Sequence, residues 1–230
     1  MSFSAASIMY RAATTLLDLG SVRWSALELR DYLNEAMREV VTLKPNASTA
    51  TVELTLVAGT RQTLPATYTV ICRALRNKIS QTAITSLDNT ILLDQQIPGW
   101  QSPDVIPYHR NVEHIIPDII DQDTFLVVPG NDGTGIIEAV VGRWPVPVDI
   151  GSDPADILTY TALVPLPDMM QNALVQYVLY RAYSKDAGSP SAAQRAAGHL
   201  TMFQNTIAAL IQSETGVTLV AESAAKGAKQ

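Results

Sequence analysis

One cysteine, Cys72, stands among the 230 residues. A single thiol excludes an intrachain disulfide and a cysteine metal cluster within one chain, and it suits a reducing compartment. Charge is scarce as well. Asp, Glu, Lys and Arg make up 17% of the chain, where an ordinary globular domain carries about a quarter. Surfaces this neutral suit contact with partners. The 16 Lys and Arg are outnumbered by 22 Asp and Glu, leaving a net charge of −6, which argues against a protein that grips DNA phosphates. The N-terminus lacks a basic cluster leading into an apolar run, and no apolar stretch approaches the roughly 18 residues of a membrane span. Neither a signal peptide nor a membrane span is therefore expected, and the mature chain is expected to begin at or near Met1. Hydrophobic residues, by contrast, reach 47%, in a length that can build one large domain or two intimate subdomains with a real core. Disorder, collagen and disulfide scaffolds are excluded.

Helical periodicity opens the chain. Between Ser4 and Asp18, Ile8, Ala12, Leu16 and Met9, Ala13, Leu17 recur at fourfold spacing, which predicts a short helix stopped by Gly20. Ser25 and Glu28 form a capping box, with Trp24 placed before it as a hydrophobic staple, and Leu29, Leu33, Ala36, Met37 and Val40 then keep a 3.6 period until Pro45. The predicted helix is Ala26 to Leu43. The pattern then changes to period two. Thr51 to Ala58 alternates, with Val52, Leu54 and Leu56 on one side, and Tyr68 to Leu75 and Ile84 to Leu93 supply further strand candidates. Pro98, Gly99, Pro103 and Pro107 make residues 95–108 an irregular surface segment anchored by Trp100. Phe125 to Val128 and Ile136 to Trp144 flank Asn131-Asp132-Gly133, a hairpin signal, so the two runs are expected to pair antiparallel. Residues 147–167 form another proline-punctuated loop.

After Pro167 the helical period returns through Met170, Leu174, Tyr177, Val178 and Arg181 to about Lys185, where Gly188 closes the helix. Ser189 caps the next, Pro190 takes its first position, and Ala193, Ala196, Ala197, Leu200, Phe203, Ile207, Leu210 and Ile211 form its stripe. Residues 216–230 lack a packing logic of their own and read as a flexible arm, with Val217, Leu219 and Val220 as a short apolar or strand-like anchor for a neighbour. The expected fold class is α+β. N-terminal helices (1–45) and C-terminal helices (167–215) form an antiparallel bundle, with a β-rich region of proline loops (46–166) inserted between them. Leu29, Leu33, Met37, Leu174, Val178 and Phe203 are its expected core.

Chemistry finds little purchase. The run Gly130 to Gly135 lacks the Lys-Ser/Thr of a phosphate loop and leads into a strand. His109, His114 and His199 show no metal-ligand spacing. Asp118, Asp121 and Asp123 resemble the front of a calcium loop, but the glycine and glutamate that would complete one are missing. Cys72 sits in an alternating strand as a small hydrophobe, and no nucleophile elbow exists. Tyr177, Tyr180 and Tyr183, three apart, suit a helix interface better than a stacking platform. The arginines, Arg11, Arg23, Arg30, Arg38, Arg73, Arg76, Arg181 and Arg195, are dispersed among acids, so no basic stripe is legible. No catalytic residue, cofactor or metal is expected.

A resemblance is specific nonetheless. Arg23-Trp24 with Leu29, Leu33-Asn34-Glu35-Ala36 and Leu43-Lys44-Pro45 resembles the opening helix of tailed-phage head-to-tail adaptor (connector) proteins of the podovirus type. Leu56, Ala58-Gly59-Thr60-Arg61-Gln62, Leu64-Pro65, Arg76-Asn77, Leu93-Asp94, Pro98-Gly99-Trp100, Phe125, Val127, Pro129 and the run Tyr177 to Asp186 match in order, followed by the helix through His199 and Phe203. The departure is His109 to Asp123, where the family shows an Asp-Pro pair before the Phe and this chain has Asp121-Gln122-Asp123-Thr124. The resemblance implies a virion protein of the neck, assembled in the host cytoplasm. Its implied partners are the portal protein, the tail nozzle and tail fibre proteins, and further copies of itself in a ring of about twelve. DNA would cross the lumen without specific binding during ejection. The alternatives are a tail-completion or terminator protein, and a metal-dependent hydrolase built on Asp118 to Asp123 with His109 or His114.

Overall fold

In the computed structural model, the described residues are 3–118, 120–185 and 189–227, with side chains described as far as Glu214. They are mixed α and β, with five helices and two sheets. Two compact units divide the chain, one of Met1–Lys44 with Pro145–Gln230, the other of Pro45–Trp144.

The first unit is helical. α1 (Ala5–Leu16) starts at Ser4, whose side chain accepts from the Ser7 amide, and ends at Leu17 in the left-handed conformation, φ 57°. Gly20 is thus not the stop, and Leu17 leaves the expected stripe, 93% exposed. α2 (Ala26–Leu43) has the expected bounds and a complete capping box between Ser25 and Glu28. Trp24, the residue before the cap, is buried. Its indole nitrogen donates to the Ala182 carbonyl at 2.9 Å and its ring meets Tyr183 edge-on, so it pins the start of α2 to the end of α4 (Gln171–Ser184). α4 is buried over most of its circumference because α1, α2 and α5 (Pro190–Gly227) all pack on it. A helix whose apolar residues spread beyond one stripe belongs at such a centre. On α5 Ala196, Phe203 and Ile207 of the expected stripe are buried and Leu200 and Leu210 half-buried, while Ala193, Ala197 and Ile211 are exposed and Ala192 is buried in their place. Gly188, expected to close α4, lies outside the described residues. The backbone from Gly216 stays helical to Gly227. The segment expected to be arm-like is therefore not strand-like, as its run of Ala, Glu and Lys without proline permits.

The proline loop after residue 144 also belongs to the helical unit, where an extension of the β region to residue 166 was expected. Asn34 on α2 explains this, since its side chain accepts from the Val148 amide at 2.7 Å and donates to the Val148 carbonyl at 3.2 Å. Further on, the carbonyls of Tyr160 and Ala162 accept from Ala6 and Ala5, satisfying amides that the first turn of α1 leaves open.

The second unit holds β1 (Thr49–Thr55), β2 (Gly59–Thr63), β3 (Tyr68–Asn77), β4 (Thr85–Ser86), β5 (His114–Pro117), β6 (Thr124–Asn131) and β7 (Ile136–Arg143). One sheet runs β1-β7-β3 and the other β2-β6-β5-β4. The expected hairpin between the last two strands does not form. β6 pairs with β2 and β5, β7 with β1 and β3. The cause is Asn131, fully buried, whose side chain accepts from the Gly133 and Gly135 amides and donates to the His109 and Arg110 carbonyls. Those bonds fold the turn back on itself and send the chain into the other sheet. Gly133 takes φ 90° within it. Leu54, Ile71, Ile137, Ala139 and Val141 from one sheet share a core with Ile115, Phe125 and Val127 from the other. The outer face of β6 is covered by Trp100, which packs on Ile116 and Val128. The segment that carries it, residues 97–108, has no helix or strand, as expected, and Asp94 accepts from the Trp100 indole at 2.9 Å; the strand expected over Ile84 to Leu93 is cut to Thr85–Ser86, because Ile91–Gln96 forms α3.

Candidate interaction surface

Of the candidate active-site groups, His109, Asp118 and Asp121 are held by the chain itself. Asp118 accepts from the Ile120 and Asp121 amides, which hold its carboxyl below the usual range, and Asp121 accepts from Thr124 and pairs with Arg61 at 3.2 Å. His109 Nδ1 accepts from the Asn111 amide, and His114 lies half-buried on β5. Among the described residues no group of three His, Cys, Asp or Glu is placed to hold a metal ion. Asp132, in the glycine-rich run, accepts from the Thr134 hydroxyl and amide, so that run is a turn closed on itself. Cys72 is exposed on β3 instead of packed as a small hydrophobe.

The tyrosines of α4 line a helix interface. Tyr177 meets Phe203 of α5 edge-on with centroids 5.1 Å apart and Tyr180 at 5.5 Å. Tyr183 stacks flat on His199, 5.5 Å between centroids, with the Arg195 guanidinium 5.7 Å from the same tyrosine ring. His199 shares a 2.7 Å hydrogen bond with Gln176, and burial, seconded by the Arg195 charge, lowers its pKa. Leu29, Leu33, Met37, Leu174, Val178 and Phe203 are each at most 1% exposed. The side chains of Val217, Leu219 and Val220 lie outside the described residues, on the helical backbone of α5.

The helical unit leaves several large apolar side chains in solvent. Leu17 is 93% and Val22 90% exposed, and in the proline loop Val146, Ile150, Leu158 and Leu163 all stand in solvent. Such a surface suits assembly. The sequence offered a partial signal for it in the low charge and the clustered prolines, but a single chain's periodicity assigned Leu17 to the core. Two hollows of about 400 and 310 Å³ adjoin at Thr15, the first between α1, α4 and α5, the second at the Trp24 end of those helices.

No helix among the described residues is long and apolar enough to cross a membrane. A family model described as SU10 adaptor protein matches residues 3–223 of the chain, and no curated protein matches it.

Proposed function

Because the chain belongs to the SU10 adaptor family, a family of phage head-to-tail adaptors and hence virion components, we propose that it forms a ring beneath the portal and joins it to the tail. The match over residues 3–223 carries this reading, since it spans both compact units. In the proposed ring, about twelve copies surround the channel through which DNA leaves. The net charge of −6 per chain favours passage over retention. The helix pairs from the two ends of the chain act as one antiparallel bundle that carries the inserted β unit, and the nozzle and fibre proteins attach below. Val217, Leu219 and Val220 contact the portal or a neighbouring copy. The role is structural and needs no catalytic group or cofactor. Assembly takes place in the host cytoplasm.

Mixing the full chain with purified portal and imaging the product tests the proposal. The expected result is a monomer at micromolar concentration that decorates the portal as a ring. Bare portals at saturating adaptor, or capture by isolated tail tubes in their place, overturn it.

A further inference from the structure

Of the four strands that end the two sheets, three are guarded against a further strand. β4 is two residues long, β2 shifts register between Gly59 and Arg61, and β3 shifts at three places along β7. Residues 82–84 also lie along the last part of β3, where the Asn77 amide donates to the Thr82 carbonyl and the Ile84 amide to the Leu75 carbonyl. Short, bulged or covered edges keep stray strands from pairing. β1 has none of these guards. It runs seven residues against β7 without a shift, contains neither proline nor glycine, and its one charge, Glu53, is paired with Lys78.

The ladder fixes which backbone groups β1 leaves open. One step beyond either end of the β1–β7 register, the Arg143 amide donates to the Ser48 carbonyl and the Leu56 amide to the Gly135 carbonyl. An antiparallel ladder bonds every second residue, so Ala50, Val52 and Leu54 also turn their amides and carbonyls to β7, and Thr49, Thr51, Glu53 and Thr55 turn theirs the other way. No strand among the described residues lies on that side. Side chains follow the same alternation. The four residues that bond outward are exposed, whereas Leu54 is buried and Val52 packs half-buried against the core between the sheets. The open edge therefore calls for an extended segment that alternates in the same sense, apolar on the core face and without a second acid opposite Glu53.

β1 itself meets that demand. Turned about a two-fold axis at Val52, a second β1 runs antiparallel to the first and sets Thr49 opposite Thr55 and Thr51 opposite Glu53, so residues that bond outward meet only one another. On the core face Ala50 then meets Leu54, and Val52 meets its own copy. No like charges stand directly opposite each other.

We propose that the open edge of β1 pairs with β1 of a second copy of this chain, antiparallel about Val52, and joins the two three-stranded sheets into one of six strands. The pair consumes both edges, so it stops at two chains. It belongs to the free chain and does not rest on the ring reading. A contact one short strand wide buries little surface, so the pair forms at about 100 µM and above, and the chain is monomeric at micromolar concentration.

Sedimentation velocity of the full chain from about 10 µM to about 1 mM, with amide hydrogen exchange read at single residues at both ends of that range, tests the pairing. The expected result is a monomer that becomes a dimer, in which the Thr51 and Glu53 amides slow about threefold or more while those of Val52 and Leu54 are protected throughout. Thr51→Pro removes an amide that the β7 ladder does not use, so the urea midpoint should hold while association weakens at least about tenfold. Thr51→Glu and Thr51→Lys test the register on an exposed side chain, and keep the test decisive if the proline variant fails to fold. Opposite Glu53 of the second copy, at about 50 mM salt, the first should weaken association and the second strengthen it, a difference that fades at about 500 mM. The same two exchanges at Thr201, exposed on α5, alter net charge equally and should differ far less. A chain that stays monomeric to about 1 mM overturns the proposal. So does a dimer whose Thr51 and Glu53 amides exchange as fast as in the monomer, full association by a folded Thr51→Pro chain, or Thr51→Glu and Thr51→Lys chains that associate alike. Slowing of those amides only when portal is added gives the edge to the portal and overturns the pairing as well.

Discussion

Asp18 organises the turn between the first two helices with one carboxylate. It accepts from Trp24 and Arg23 on one oxygen, at 2.9 and 2.8 Å, and from Val22 at 3.0 Å on the other. These amides, that of Trp24 foremost, hold its pKa below the ordinary value. A carboxylate depressed in the folded state adds stability above its unfolded pKa near 4, and that contribution fades as the pH falls through the folded value. Asp18→Ala should therefore cost about 0.5–2 kcal/mol at neutral pH in urea unfolding, with the gap to wild type narrowing in acid. His199 acts in the opposite pH range. Burial and then Arg195 depress its pKa, so the unfolded chain takes the proton first and stability declines as the pH falls below about 6.5, levelling once the folded group has also protonated. His199→Phe keeps an aromatic ring against Tyr183 and should remove that decline. Urea midpoints at pH 7.5 and 5.5 check it, and an unchanged slope in the variant would mean that another group is responsible.

At the scale of elements, α2 was legible to the residue because three local signals agreed: a capping box, a 3.6 period and a terminal proline. Its packing on α4 follows from both being apolar where they meet, with Leu33 and Leu174 fully buried. Leu33→Ala and Leu174→Ala should each cost about 2–5 kcal/mol in chemical unfolding of the free chain, and losses under about 0.5 kcal/mol would remove the helix–helix core from the account. The hairpin expected at residues 125–144 shows where local reading stops. Asn-Asp-Gly does make a turn, but which strand each arm pairs with was decided by Asn131 reaching the carbonyls of His109 and Arg110, some twenty residues upstream. No local pattern carries that information. Leu17 is a similar case, because fourfold spacing cannot distinguish the last buried turn of a helix from its exposed left-handed cap. The candidate surface was legible only as composition, since the first hollow joins residues of α1, α4 and α5, from Tyr10 to Met202.

For the whole molecule, the way the β unit enters and leaves is the informative feature. β1 begins at Thr49 opposite Gly142 of β7, and the Arg143 amide donates to the Ser48 carbonyl at 2.8 Å, so the two ends of Pro45–Trp144 leave side by side. Adjacent ends let a unit sit within a single loop of another domain without strain, which is how inserted domains are tolerated. The unit also has its own core between two sheets, centred on Ile115, Phe125, Val127, Ile137, Ala139 and Val141, and its second sheet is closed on the outer face by Trp100. The helical unit is the less autonomous piece in sequence, because α1 and α2 must find α4 and α5 across an intervening hundred residues, a long loop to close but one whose cost grows only slowly with length. The expected outcome for residues 45–144 expressed alone is therefore a folded, cooperative domain. Urea unfolding should follow one transition with a slope of about 1 kcal/mol/M, that of a chain of this size, and near-UV dichroism from Trp100 should disappear in the same transition. A fragment that binds hydrophobic dye and melts without a transition would show instead that this β core depends on the helices for its order, and the adaptor would then fold as a single cooperative body.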